Sequence, residues 1–580
     1  MRWTAVSILA LFAVYWIAAT AGPEAVGAWQ DDAIYLVTAR SLAEGNGYRL
    51  MHIPGQPRQT KYPILYPAIL ALAHPSYPQN LWLLLAPGAA AAAGFVVLSG
   101  VIVRRLLGGS RGMAIAVGVL AAASPQILCQ VRFTMSDMTF AFLSVAALLC
   151  LDGKYASAPT AWRGRLWLVV AALLIAAAAL TRTFGLALLA AAVAGLLLRR
   201  RFAAAAATLG IVAACLLPWY LWRHWAAGCN GAIQTSPLDA YALDYWLWAP
   251  RQLSDFVRVG AYNALKTVFA ACYVQLALPR SWVVAALSTV SWRLVALHLA
   301  CYATAALVIA GFVGTFRRQQ ATGPAGLVSA FRRNCRTFHL YAAGYLAMML
   351  VWPFDPSRFL DCWIPFILYF LLSGARLAGR ACLPAESANP ASQPSTVRNR
   401  KLLILVPAVI CFAIVVLFIH EDLNILGSTR GDYSFLRQSV DLTESDSLKE
   451  WLRANTAPGD VLASNHAAEI YLATGRQGHD FASWSNPAAA YYGHDRQWWR
   501  FFMIHGASEY QWLYDWAGPE LERTYRQAGV TYYIDDAGHP MAVVMRRFLE
   551  RHPRLFQLSF QTGKTYSVYR FTPTDSTTAP

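Results

Sequence analysis

Apolar residues occur along this chain in long runs, separated by short basic loops. A helix needs roughly 20 apolar residues to cross a bilayer, and fewer inside a bundle. On that measure about eleven spans are predicted. They fall near 4–22, 80–103, 112–131, 134–151, 166–181, 184–198, 202–221, 293–315, 337–353, 359–375 and 401–420. Several are rich in alanine, as in Ala171–Ala179 and Ala203–Ala214. Small residues let helices approach closely in lipid, so this texture predicts packing rather than chemistry.

The pattern changes after His420. Ser447-Leu448-Lys449-Glu450 reads as a capping box opening a helix toward Trp451 and Leu452. Pro458-Gly459-Asp460 predicts a turn, followed by a strand from Val461. A helix over Glu520–Ala528 is expected to stop at Gly529. Val530, Tyr532 and Ile534 then alternate as a strand, and Leu555–Phe560 with Tyr566–Phe571 form a closing hairpin. The fold class expected is a polytopic α-helical membrane protein with a C-terminal soluble α/β domain. Residues 1–420 form the membrane domain, with outer loops at 23–79 and 222–292, and residues 421–580 the second domain. The Pro/Ser/Asn-rich stretch 384–400 reads as a flexible loop.

Composition supports the membrane assignment. The 580 residues are 57% hydrophobic and 14% charged, with mean hydropathy +0.38, whereas a soluble domain carries roughly 25% charged residues. The formal charge of +17 would suit nucleic acid if it were clustered on one face. It lies instead in short loops around Arg104, Arg105 and Arg111, Lys154, Arg163 and Arg165, Arg199-Arg200-Arg201, Arg317 to Arg336, and Arg376 to Lys401. These loops alternate, which by the positive-inside rule puts them in the cytoplasm and excludes a nucleic-acid partner. The N-terminus is then cytoplasmic, and the tail after His420 lies outside. The ten cysteines include no CxxC pair and none beyond Cys411, so neither a zinc framework nor a redox role is expected. Residues 1–21 read as a retained first span rather than a signal peptide, since no small-x-small cleavage site precedes the following acids.

Those acids carry the candidate chemistry. Asp31-Asp32 follow the first span directly, at the head of a helix expected to run to about Glu44 and end at Gly45 and Gly47. As isolated residues they would read as a helix cap and a dipole partner. Their loop continues, however, to Arg58 and to Lys61-Tyr62-Pro63. Other outer turns supply Ser136-Asp137, Thr181-Arg182-Thr183-Phe184-Gly185 and Asp355-Pro356-Ser357-Arg358-Phe359-Leu360-Asp361. Carboxylates and arginines on one membrane face suit a phosphate at headgroup depth with a base beside it. An exposed Asp is a weak base at neutral pH, and burial or a second acid such as Asp32 or Asp137 would raise its pKa. His466 and Glu469, three residues apart, read as packing residues, because a metal site needs three or four ligands.

These segments resemble the GT-C glycosyltransferases, in the protein mannosyltransferase and ArnT-like branch with its RgtA/B/C/D-like bacterial relatives. The resemblance rests on Asp31-Asp32-Ala33-x-Tyr35, Ala39-Arg40-x-Leu42 with Gly45-x-Gly47-Tyr48, and Lys61-Tyr62-Pro63-x-x-Tyr66-Pro67. Later segments follow in the family's order: Pro125 to Asp137, Thr181-Arg182-Thr183-x-Gly185, Pro356-x-Arg358-Phe359 and the tail around Trp451-Leu452. It implies a GT-C fold and inverting transfer of a sugar from a polyisoprenyl-phosphate donor to a glycolipid, glycan or protein acceptor outside a bacterial inner membrane. In that scheme Asp31 is the base, with Asp32 and Asp137 as further catalytic acids. Lys61 meets the phosphate, and Tyr35, Arg58, Tyr62, Arg182 and Arg358 are substrate-binding. No cofactor is required. Some relatives place a divalent metal near the acidic loops and others need none. Asp32 replaces a frequent Glu, and Lys-Tyr-Pro replaces Lys-Pro-Pro. Two other readings compete: a transporter or flippase of lipid-linked saccharides, and a scaffold. Spans almost free of mid-depth ionisable groups weigh against ion coupling.

Overall fold

The computed structural model describes residues 30–74, 81–235, 238–244, 253–278, 292–317, 336–352, 356–381, 394–427, 442–480, 522–537 and 542–572. The predicted first span, and with it residues 4–22, lies outside them. Two short helices open the described chain, α1 (Asp31–Ala43) and α2 (Leu65–Ala73). The bundle follows as α3 (Leu81–Arg105), α4 (Arg111–Ala122), α5 (Pro125–Arg132), α6 (Asp137–Leu148), α7 (Trp162–Thr181), α8 (Gly185–Leu198) and α9 (Phe202–Asn230). It continues with α10 (Leu253–Phe269), α11 (Trp292–Arg317), α12 (Thr337–Leu350), α13 (Ile364–Ala381) and α14 (Pro394–Gly427).

Among the described residues seven helices are long and apolar enough to cross a membrane. They become eight if α4 and α5, bent by 47°, count as one broken span. The chain is thus a multi-pass membrane protein. The bend falls where Ser124 precedes Pro125, a residue suited to the first turn of a new helix. Two further predicted spans are helices of only 14 residues, α8 and α12. Apolar pattern alone does not separate such helices from full spans, because burial against neighbours replaces lipid contact. The stretch expected as an outer loop from 222 to 292 is helical in large part, since α9 runs on to Asn230 and α10 follows. Residues 394–400, expected in a loop, begin α14, which continues past position 420 to Gly427.

Close backbone contact sets α11 against α13. A side chain on Gly311 would strike the backbone of Phe370, and one on Gly374 that of Leu307. The two glycines let the axes approach, which is how helices associate in lipid where apolar burial drives little. At the opposite end of the bundle from α1, Asp152 pairs with Arg199 at 3.0 Å and accepts from Thr337 Oγ1 at 2.8 Å.

The second domain carries α15 (Leu442–Asn455), β1 (Val461–Ser464), α16 (Ala467–Thr474), β2 (Gly478–Asp480), β3 (Val530–Asp536), α17 (Ala542–Arg551), β4 (Phe556–Thr562) and β5 (Tyr566–Phe571). The helix predicted at Ser447 starts earlier, at Leu442. Strand order is β2-β1-β3-β5-β4; β1 runs parallel to β2 and β3, and β5 antiparallel to β3 and β4. Apolar side chains cover both faces: Leu448, Leu452 and Ile534 on one, Tyr525, Tyr533 and Phe548 on the other. This domain docks on the loop after α1. The Gly478 amide donates to the His52 carbonyl at 2.7 Å, Gln477 Nε2 to the Met51 carbonyl at 3.0 Å, and Arg40 lies over the Tyr471 ring.

Candidate active site

Four chain segments distant in sequence meet where α1, α6, α7 and the turn before α13 come together. Asp31 is the first residue of α1 rather than its cap. Gln30 occupies the cap with a φ of 63° and no side-chain cap bond. That angle is uncommon for a residue with a Cβ. The Asp31 carboxylate is therefore not spent on its own helix and reaches other segments. The Tyr62 hydroxyl donates to Oδ1, and Arg358 Nη2 donates to Oδ2 at 2.6 Å. Beyond Ala43, Gly45 and Gly47 take positive φ and end the helix as expected.

Asp137 opens α6, fully buried, and forms an ion pair with Arg182. Arg358 Nε lies 4.0 Å from Asp137 Oδ1, so Arg358 stands between the two carboxylates. Arg182 sits in the tight turn between α7 and α8. Gly185 is required there because a Cβ would run into the backbone of Ala178 and Ala179. Phe359 lies under both guanidinium groups, 5.1 Å from Arg182 and 5.6 Å from Arg358. The Tyr35 hydroxyl is 2.8 Å from Ser136 Oγ, tying α1 to the head of α6.

Lys61 is also buried, at 5% exposure, with its Nζ 4.4 Å from the Tyr62 ring centre. Gln59 Oε1 accepts from the Lys61 amide at 2.7 Å and holds this turn. Burial opposes ionisation of Asp31, but Arg358 and Lys61, helped by the Tyr62 hydrogen bond, outweigh it and hold its pKa well below the usual carboxylate range. The sequence reading expected a second acid to raise this pKa. The nearby cations reverse the sign.

Eight of the nine site residues read from the sequence lie in this neighbourhood. Asp32 is as buried as Asp31, and its carbonyl accepts from Thr134 Oγ1 at 3.2 Å. Arg58 lies apart from the acids. Its guanidinium stacks 4.4 Å from the Trp225 ring, and Asn230 binds both its backbone amide and its carbonyl. That geometry gives Arg58 a part in closing the loop against α9.

Other contacts were not foreseen. Asp361 is held from two sides, by Gln130 Nε2 at 2.7 Å and Gln275 Nε2 at 2.9 Å. Isolated amides within apolar runs were the available signal, since polar side chains at such depth require partners. Among the described residues no three His, Cys, Asp or Glu side chains are arranged to hold a metal ion. The eight cysteines described are free.

No family model and no curated protein matches the chain. Solved structures do. ArnT from Cupriavidus metallidurans, bound to undecaprenyl phosphate, aligns with a TM-score of 0.52 at 13% identity, covering 98% of each chain. The archaeal oligosaccharyltransferase AglB from Archaeoglobus fulgidus, in complex with an inhibitory peptide and a dolichol-phosphate, aligns with a TM-score of 0.51 at 13% identity. That alignment covers 100% of this chain and 75% of AglB. Over essentially its whole length this multi-pass membrane protein therefore has the GT-C fold, with an ArnT-like architecture.

Proposed function

We propose that the chain is an integral-membrane glycosyltransferase. It moves a sugar from a polyisoprenyl-phosphate donor to an acceptor on the outer face of the membrane, with inversion and with Asp31 as general base. The observation that carries the reading is the buried chain Asp31–Arg358–Asp137–Arg182 beside Lys61 at one end of the bundle. A lipid phosphate keeps its tail in the bilayer and presents a dianion at this depth, where Lys61, Arg182 and Arg358 offer cations. The likeness to ArnT and AglB, each solved with a polyisoprenyl phosphate, supports the same class of donor here.

In the transfer step an acceptor oxygen bonds to the anomeric carbon as the bond from that carbon to the phosphate oxygen breaks. The acceptor proton passes to Asp31, and the electron pair leaves on the polyprenyl phosphate, neutralised by the cations. At rest Asp31 is a poor base, because Arg358 and Tyr62 stabilise its charged form. When the donor phosphate competes for Arg358, the largest pKa-lowering partner weakens while burial remains, and Asp31 becomes more basic.

Asp31→Asn is the test. In membranes supplied with donor it should remove sugar transfer, read by mass spectrometry of the glycolipids, while undecaprenyl phosphate still binds. Unchanged transfer in this variant would refute the role of Asp31.

A further inference from the structure

A cleft enclosing about 230 Å³ separates the first turn of α1 from α16 of the sheet domain. Gln30 and Ala33 line it from α1, His52 from the loop, and His466, Ala467 and Glu469 from the domain. His52 is 1% exposed, and its Nδ1 has no hydrogen-bond partner. His466 is 8% exposed; its Nε2 lies 3.1 Å from Asp536, while its Nδ1 is unbonded and 3.6 Å from Glu469 Oε2. Buried polar groups are normally satisfied. Two imidazoles with unfilled nitrogens on one cleft therefore mark a place built to take hydrogen bonds from something else.

The chemistry of that ligand follows from the walls. No lysine or arginine lines the cleft, and the nearby Lys449 is held by Glu469 Oε1 at 3.0 Å, so an anion gains little there. Burial, with His479 nearby, keeps His52 neutral by lowering its pKa to about 3. A neutral imidazole both donates and accepts, as a hydroxyl does. Ala33 and Ala467 leave room for a small ring edge. The position matters as well. Gln30 immediately precedes Asp31, and Ala33 lies on a neighbouring face of α1, away from the face that Asp31 and Tyr35 turn toward Arg358 and Ser136.

We propose that this cleft is a hydroxyl-binding subsite for the acceptor, holding a sugar unit adjacent to the one whose proton Asp31 takes. It rests on the transferase reading and adds to it the acceptor class, a glycan with free vicinal hydroxyls. The sheet domain supplies one wall of the subsite, so the membrane domain alone does not complete it.

The experiment uses the full chain in nanodiscs, with donor-charged membranes and a glycolipid extract from cells lacking the chain as acceptor probe. Two variants are compared with wild type: His52→Phe, which removes the ring nitrogens, and Ala33→Leu, which fills the cleft. Each should raise KM for the extract about tenfold, the effect of a lost hydrogen bond or a blocked contact, with kcat changed less than twofold. Undecaprenyl phosphate binding and its thermal shift should match wild type, which also reports folding. Periodate treatment of the extract, which cleaves vicinal diols, should abolish the difference between wild type and variants, and N-acetylation should leave it intact. Unchanged KM in both folded variants would overturn the subsite. So would loss of undecaprenyl phosphate binding, which would assign the cleft to the donor, or sensitivity to N-acetylation alone, which would assign it to an amine. Absence of transfer and of undecaprenyl phosphate binding in wild type would instead remove the transferase reading itself.

Discussion

Arg358 Nη2 stands 2.6 Å from Asp31 Oδ2, a contact between residues 327 positions apart. The same guanidinium approaches Asp137, so one cation links the head of α1 to the head of α6. Both carboxylates are almost completely buried, and Arg358 is the partner that makes burial of Asp31 tolerable.

Arg358→Ala is therefore expected to be costly in two ways. Breaking one side of a buried ion pair typically destabilises by about 3–5 kcal/mol, because the remaining charge is stranded. The Asp31 pKa should rise at the same time, since burial then acts with less opposition. Thermal melts should show a lower midpoint, and any residual transfer should acquire an acid limb at higher pH than in wild type. A melt and profile identical to wild type would contradict this account.

Lys61→Ala is expected to weaken donor use more than acceptor use, since the buried ammonium acts on Asp31 and on the phosphate position without lining the cleft beside α16. Kinetics with donor and acceptor varied separately decide the point. A defect confined to the acceptor would reverse the assignment.

His52 makes docking of the sheet domain sensitive to acid. Its folded pKa is about 3, against roughly 6.5 in an unfolded chain. Between those values only the unfolded state binds the proton, so stability falls as pH drops from about 6.5. His479, whose pKa is raised by Asp239 despite burial, acts with the opposite sign and loses its contribution as pH rises. Thermal melts from pH 7 to 5 should therefore decline less steeply in His52→Phe than in wild type.

Gly374→Leu should separate α13 from α11. Forcing atoms into a packed contact usually costs about 1–3 kcal/mol. The turn carrying Arg358 precedes α13 directly, so the loss of stability should be accompanied by weaker transfer. Equal stability of the purified variant would show that the backbone contact is not tight.

Much of this architecture was legible in the chain itself. Membrane character, the alternation of basic loops, the β1 strand and the closing hairpin all come from local composition and periodicity. The acids and arginines of the site were also recognisable, because charged side chains between apolar runs stand out. Arg58 shows the limit. It shares a loop with Lys61 and looked equivalent to it, yet Trp225 and Asn230 engage it elsewhere.

What the sequence by itself determined is which segments are apolar, where they break, and which charged residues lie at those breaks; these are properties of neighbouring residues. Only the tertiary structure decided that Arg358 and Lys61 outweigh burial at Asp31, that Gln130 and Gln275 hold Asp361, and that His52 faces His466 across a cleft. The reason is that the sign of a pKa shift and the satisfaction of a buried polar group depend on atoms a few ångströms away, and those atoms come from segments that sequence distance does not connect.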